Sequence, residues 1–170
     1  RPTNLTKYGE WYGMNGTAWC AIFTAWCADK AGINVRKIAP GWAYTPSGYA
    51  GLGAHGMLLV NRRNAVAGDI VYYDFPDTVY RIQHTGIVES ADEGGIWAIE
   101  GNTSTANQSN GGQVMRRRRS WNLIVGIGRL QFDGTPNPNP IPAPPVPQNK
   151  EPLKMHRLVL HYSNRAERWL

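Results

Sequence analysis

A proline-rich segment sets the boundary of the part of this chain that can form a core. Residues 134–148, GTPNPNPIPAPPVPQ, contain seven prolines in fifteen positions. Such a segment is stiff and extended and cannot contribute to a hydrophobic core. The sequence therefore predicts one globular domain over residues 1–132 and a linker over residues 133–149. Residues 150–170 form a short basic tail or the start of a second module, because about 20 residues cannot fold alone.

The second half of the predicted domain has the pattern of an antiparallel sheet. Five short segments rich in Val, Ile and Tyr are each bounded by Gly, Asp, Asn or Ser, as β-strands are. They cover residues 69–75, 84–89, 96–100, 113–118 and 123–130. The first half is helical near residues 5–12 and 18–31, while residues 33–64 have the glycines and prolines of loops, with a short helix starting at Thr45. This order predicts an α+β fold, with helices packed on a sheet of about five to six strands.

Both cysteines lie in the second predicted helix, within NGTAWCAIFTAWCADKAG. Asn15 or Thr17 is expected to cap this helix, and Gly32 to end it. Residues seven apart in a helix are roughly 10 Å apart, which is too far for a disulfide between Cys20 and Cys27. No further Cys or His nearby completes a metal-binding motif. Two interpretations remain: a pair of buried core thiols, or a nucleophilic Cys20 in the first helical turn, where the helix dipole favours a thiolate.

A cysteine nucleophile needs a base, and the base needs a group that orients it. The chain has four histidines, His55, His84, His156 and His161. Two lie beyond the linker and one lies in the glycine-rich loop region, whereas His84 begins a strand. A hairpin turn at residues 92–93 joins that strand to the next one. The resulting pairing predicts that His84 lies beside Gly101, flanked by Glu100 and Asn102, so that either polar group can hold one ring nitrogen and leave the other for a thiol.

The charge of the chain suits an anionic partner. Its net charge is +6 and its pI is near 9.5, which favours nucleic acid, a membrane surface or an acidic wall polymer. The densest basic run is the four arginines of residues 116–119. In a strand these side chains alternate between two faces, so we interpret the run as a solvated face rather than a nucleic-acid groove. No apolar run approaches the roughly 20 residues that span a bilayer, and we expect neither nucleic acid nor a membrane as a partner.

Five segments together resemble the CHAP domain of bacteriophage lysins and bacterial wall hydrolases. They are TKYGEWYGMNGTAWCAIFTAW (6–26), GDIVYYDF (68–75), HTGIVES (84–90), IEGNTS (99–104) and GGQVMRRRRS (111–120). The W-C-A-x-F and I-E-G-N-T motifs at this separation make the resemblance specific. It covers roughly residues 5–132 and implies a papain-like α+β fold.

The resemblance also implies roles for individual residues. Cys20 is the implied nucleophile and His84 the general base. Glu100 would orient the imidazole, and Asn102 matches the fourth polar position of such sites. Some phage members carry an Asp-rich calcium loop before the cysteine, but Glu10 is the only acid in the first twenty residues of this chain. We therefore expect no metal and no cofactor.

The implied substrate is bacterial peptidoglycan, cut at an amide bond between muramic acid and L-Ala or within the stem or cross-bridge peptide. Aromatic side chains commonly line such clefts, so Trp19 and Trp42 are expected substrate contacts. Asn15 is expected to add a hydrogen-bond donor near the nucleophile. The favoured interpretation is a phage lysin that acts at the bacterial cell wall as a monomer, tethered by its linker to a wall-binding module or a virion.

Two alternatives remain from the sequence. One keeps the fold without the activity, as a wall-binding or virion structural component. The other interprets the arginine run and the basic tail as a nucleic-acid surface, for which aromatic residues between the arginines would be typical. Only Trp121 lies close to the run, which argues against the second alternative.

Overall fold

The computed structural model describes residues 3–76 and 82–132, so the predicted linker and tail lie outside the described residues. Within these ranges three α-helices come before five strands along the chain. The helices are α1 (Lys7–Tyr12), α2 (Cys20–Lys30) and α3 (Thr45–Ala54). The strands are β1 (Ile70–Tyr73), β2 (His84–Asp92), β3 (Gly95–Thr103), β4 (Gln113–Ser120) and β5 (Ile124–Gly128). None of the helices in these ranges is long and apolar enough to cross a membrane.

The five strands form one sheet in the order β4-β3-β2-β1-β5. Every neighbouring pair is antiparallel, and apolar side chains are buried in two clusters. The helices contribute to the cluster that contains Ile70 and Tyr72, while Val71 and Tyr73 belong to the other cluster, as alternation along β1 requires. The predicted α+β fold is therefore confirmed, and each of the five predicted strands is present.

The start of α2 differs from the prediction. Trp19 is the N-cap residue, and no side chain caps the helix. The Asn15 carboxamide oxygen instead accepts the backbone N–H of Thr6, at 2.9 Å, and so holds the start of α1. The Thr17 hydroxyl donates to the Met14 carbonyl in the connecting turn. Both predicted caps were wrong because these side chains bond to backbone groups that precede α2, Asn15 at Thr6 and Thr17 at Met14.

A glycine in β3 allows α2 to lie directly on the sheet. A Cβ atom at Gly101 would come within 2.5 Å of the Phe23 Cβ and 2.9 Å of the Trp19 ring. Both of those side chains are buried, and one of them immediately precedes Cys20. The absence of a side chain at Gly101 therefore fixes how closely the N-terminus of α2 approaches the sheet.

Residues 45–54 form the helix α3, although the stretch 33–64 was expected to consist mostly of loops. The helix starts at Thr45, as predicted, and continues through three glycines. Two of them meet neighbours that leave no room for a side chain: a Cβ at Gly51 would lie 2.6 Å from the Ala39 Cβ, and one at Gly48 would lie 2.9 Å from the Tyr72 hydroxyl. Glycine lowers helix propensity, but close packing here requires it.

The arginines of β4 are divided between solvent and interior. Arg116 and Arg118 are on the solvated face and form ion pairs with acidic residues of β2, Glu89 and Asp92. The Arg116 guanidinium also lies over the Trp97 ring, 3.9 Å from its centroid. The fourth arginine of the run is buried, which corrects the interpretation of the whole run as a solvated face.

Candidate active site

His84 begins β2 and is buried among aromatic rings. Its imidazole packs near Tyr73, with ring centroids 5.8 Å apart, and near Phe75, at 5.9 Å. Its Nε2 atom lies 3.0 Å from a carboxylate oxygen of Glu100, and neither side chain is exposed to solvent. The predicted pairing of this histidine with Glu100 is therefore present in the fold.

The other ring nitrogen of His84 is left for the cysteine. Nδ1 is buried and has no hydrogen-bond partner among the described residues. Burial alone would lower the pKa of His84, but interactions with the Cys20 thiol and the Glu100 carboxylate outweigh it and raise the pKa to about 9. The Glu100 carboxylate and the Cys20 thiol therefore both favour the protonated form of the imidazole. Cys20 and Cys27 are both free, as the helical spacing predicted.

Cys20 is the first residue of α2. The first backbone bond of this helix runs from the Phe23 N–H to the Trp19 carbonyl, at 2.8 Å. The N–H groups of residues 20–22 therefore precede the hydrogen-bonded ladder of the helix and carry the positive end of its dipole. This placement is the predicted one for a thiolate.

The register of the β2–β3 hairpin explains how Glu100 reaches His84. Ile87 pairs with Ile99, and the register shifts between Val88 and Ser90. The predicted pairing of His84 with Gly101 was wrong, because the turn of the hairpin lies at Glu93 and Gly94, with Asp92 paired to Gly95, and not at residues 92–93. The irregularity in β2 then shifts the pairs beyond it by one residue. In the observed register Gly86 lies opposite Glu100, on the same face as His84. A Cβ at Gly86 would lie 2.7 Å from the Glu100 Cγ, so this glycine leaves the space across which Glu100 reaches the imidazole.

Arg119 of β4 completes the buried cluster and was missed by the sequence analysis. Its Nε and Nη2 atoms donate to the two oxygens of Glu100, at 2.8 and 2.6 Å. Its side chain is 3% exposed. Burial raises the pKa of Glu100, but the hydrogen bonds from Arg119 and His84 outweigh this effect and hold the pKa below its ordinary value. The sequence pattern that could have predicted a buried arginine is the alternation of side chains along β4, which places Arg119 on the opposite face of the sheet from Arg118.

Asn102 is buried but does not hold the imidazole. Its side-chain nitrogen donates to the Asn110 carboxamide at 3.0 Å, and its side-chain oxygen accepts the backbone N–H of Gly112 at 3.1 Å. Its backbone is in the left-handed region, with φ at 60°. Both ends of this side chain therefore organise the loop between β3 and β4, and the expectation that Asn102 is a fourth polar group acting on His84 is not supported by its contacts.

The expected substrate contacts are mostly in the core. Trp19 is 2% exposed and stacks on Tyr8, with centroids 5.3 Å apart. Trp42 is 1% exposed, and its indole N–H donates to the Thr24 hydroxyl. Neither indole can touch a substrate from these positions, which corrects that expectation. Asn15 is exposed, and its carboxamide nitrogen makes no hydrogen bond among the described residues, so its donor role stays a prediction.

No group of three or more His, Cys, Asp or Glu side chains within residues 3–76 and 82–132 is arranged to hold a metal ion. The clustered polar groups are instead a thiol, an imidazole, a carboxylate and a guanidinium. A thiol next to an oriented imidazole is the arrangement for nucleophilic attack on a carbonyl carbon.

Comparison with known proteins agrees with this chemistry. The model of the CHAP domain family matches residues 11–102, a range that contains Cys20, His84 and Glu100. No curated protein matches the chain. Because the family model covers more than half of the 170 residues, the chain belongs to the CHAP domain family, whose members are hydrolases of the amidase and peptidase type that act on the peptidoglycan of the cell wall.

Proposed function

We propose that this chain hydrolyses an amide bond of bacterial peptidoglycan with Cys20 as the nucleophile and His84 as the general base and acid. The observation that carries the proposal is the buried contact between Glu100 and Nε2 of His84, while Nδ1 makes no hydrogen bond among the described residues and the imidazole interacts with Cys20. A histidine held in this way keeps its proton on Nε2 and offers Nδ1 to the thiol.

The reaction follows from these groups. Nδ1 of His84 takes the proton of the Cys20 thiol, the thiolate sulfur attacks the amide carbonyl carbon, and the negative charge moves to the carbonyl oxygen. Backbone N–H groups at the start of α2 are placed to stabilise that oxyanion. The Nδ1 proton of His84 passes to the leaving amine as the C–N bond breaks, which leaves a thioester on Cys20. Nδ1 then accepts a proton from water, the hydroxide attacks the thioester, and the acid product and the thiol are released.

The finer points of the proposal rest on the resemblance of the motifs. These are the phage lysin origin, the action of the chain as a monomer, and the tethering of the domain by residues 133–149. The bond cut is either the muramic acid–L-Ala amide or a peptide bond of the stem or cross-bridge, since the same groups cleave both. The net charge of +6 favours encounter with an anionic wall polymer, and it should make the rate of binding depend on salt.

The test is mass spectrometry of the fragments released from purified peptidoglycan. We expect the wild-type chain to release fragments and the Cys20→Ala variant to release none, while Cys27→Ala serves as the matched control and keeps activity. Free lactyl groups on muramic acid would identify an amidase, and new peptide termini an endopeptidase. If neither wild type nor variant releases fragments from walls of several chemotypes, while both bind them, the chain is a wall-binding component and the hydrolase proposal is wrong.

A further inference from the structure

The buried cluster contains a cation that the proposed reaction does not use. Arg119 comes from β4, outside the residues 11–102 that the family model matches. Its guanidinium is enclosed by the ring of Phe75, 4.9 Å from the centroid, and by that of Tyr73, 5.5 Å away. These are the same two rings that flank His84. Arg119 and His84 are therefore packed into one aromatic enclosure, with Glu100 between them.

The two bonds from Arg119 fix the plane of the Glu100 carboxylate. Oε1 accepts from Nε of Arg119, while Oε2 accepts from Nη2 and also lies 3.0 Å from Nε2 of His84. A carboxylate held by one bond can rotate about its terminal torsion, whereas a bidentate guanidinium allows one orientation. With Oε2 held as an acceptor, Nε2 of His84 must carry a proton, and Nδ1 becomes the nitrogen that exchanges a proton with Cys20.

Arg119 also keeps a buried carboxylate charged. A carboxyl group taken out of water favours its neutral form unless an opposite charge is near. A neutral Glu100 would no longer stabilise an imidazolium at His84, and the imidazolium is what stabilises a thiolate at Cys20. The charge on Arg119 therefore favours the thiolate of Cys20 indirectly, through Glu100 and His84.

The position of Arg119 is itself fixed from the loop between β3 and β4. Its Nη1 atom donates to the side-chain oxygen of Gln108. The backbone of that loop is tied to Thr103, whose hydroxyl donates to the Gln108 carbonyl at 2.8 Å. A series of hydrogen bonds thus runs from His84 through Glu100 and Arg119 to Gln108, which is a partly exposed residue of the loop.

We propose that Arg119 is a positioning residue for the Cys20–His84 pair, and that it acts by holding Glu100 in one orientation and in its charged form. The inference rests on the proposed function for the role of Cys20. Its test does not depend on any substrate, because it follows the sulfur directly.

The experiment measures the rate at which iodoacetamide alkylates Cys20, by peptide mass spectrometry, between pH 4 and pH 10. The variants are Arg119→Met, which removes the charge, and Arg119→Lys, which keeps the charge but loses the two-pronged contact. Arg118→Met, which removes a neighbouring surface ion pair, is the matched control. Thermal unfolding followed by circular dichroism establishes which variants are folded.

We expect the acid-side midpoint of the alkylation profile to rise by about one pH unit in Arg119→Met, equal to about tenfold slower alkylation on that side. The shift should be smaller in Arg119→Lys and absent in Arg118→Met. A structural role alone would lower the unfolding temperature and leave the profile unchanged. Unchanged profiles in the folded Arg119 variants therefore overturn the inference, and if Arg119→Met does not fold, Arg119→Lys decides.

The same data separate this inference from the proposed function. A thiolate–imidazolium pair should give the wild type a plateau of alkylation on the acid side, and His84→Ala should remove that plateau. If the wild type has no such plateau, or if His84→Ala keeps it, Cys20 and His84 do not form the pair. The proposed mechanism and the inference then both fail. If the wild type shows this plateau and the Arg119 variants show the same plateau with the same midpoint, only the inference about Arg119 fails.

Discussion

The stability of this domain should fall as the pH rises from neutral to mildly alkaline values, because of His84. The pKa of His84 is about 9 in the folded chain against an ordinary value of 6.5. Each pKa unit corresponds to 1.36 kcal/mol, so the difference is worth about 3 kcal/mol of folding free energy. That is a large fraction of the 5–15 kcal/mol that typically stabilises a domain.

The direction follows from where the proton is bound. Below pH 6.5 the imidazole is protonated in both the folded and the unfolded chain, and the stabilisation is complete. Between pH 6.5 and about 9 the folded chain keeps a proton that the unfolded chain has lost, so the free energy of unfolding decreases with pH. Above pH 9 this contribution is gone.

The assay is urea unfolding at a series of pH values from 6 to 10, for wild type and for His84→Gln, whose side chain does not titrate. The difference between the two curves isolates His84 from the other titrating groups. We expect the wild-type advantage to shrink by about 3 kcal/mol, or about 1–3 M in urea midpoint for a domain of this size. Cys20→Ala should show a weaker pH dependence than wild type, because the Cys20 thiol is the largest of the effects that raise the pKa of His84. Parallel curves for wild type and His84→Gln would refute the reasoning.

Three further predictions concern the thiols, the packing of α2 and metals. At pH 6 iodoacetamide should modify Cys20 much faster than Cys27, since burial raises the pKa of the Cys27 thiol; equal rates in peptide mapping would contradict this. Gly101→Ala should cost about 1–3 kcal/mol by overpacking and also slow alkylation of Cys20. Gly13→Ala, at a φ of +82° with open space around it, should lower the unfolding temperature alone, and loss of Cys20 reactivity in that control would show that reactivity follows global stability. EDTA should leave hydrolysis of peptidoglycan unchanged, and a loss that calcium restores would show that a metal is required.

The strands and the pairing of His84 with Glu100 could be predicted because they depend on local patterns. Short β-branched and aromatic segments between turn residues identify strands directly, and a tight turn brings the backbone positions of His84 and Glu100 to neighbouring strands. The register itself could not be predicted, because the turn lies one residue later than expected, at Glu93 and Gly94, and the irregularity between Val88 and Ser90 leaves no mark in the residue types. A shift of one residue moves a side chain to the other face of the sheet, and here it placed the carboxylate on the same face as the imidazole.

The roles of Arg119, Trp19 and Trp42 could not be read from composition for a related reason. A run of four arginines is typical of a solvated face, and the partner that buries one of them, Glu100, lies on a neighbouring strand. Indoles near a nucleophile suggest a cleft, but both are large apolar groups that are buried in the core cluster to which the helices contribute. Long-range burial decided these three positions, and one sequence does not encode it in a local pattern.

The arginines of β4 have a consequence for how copies of this domain behave beside one another. β4 ends the sheet, and a strand in that position presents unpaired backbone groups on which a second chain can add a strand. Two β4 edges that met in antiparallel fashion would bring arginines close to arginines, and like charges in paired strands repel. The acidic partners of Arg116 and Arg118 lie inward on β2 and do not shield the outer edge. The arginines of β4 are therefore expected to disfavour pairing of two copies of this domain through their β4 edges.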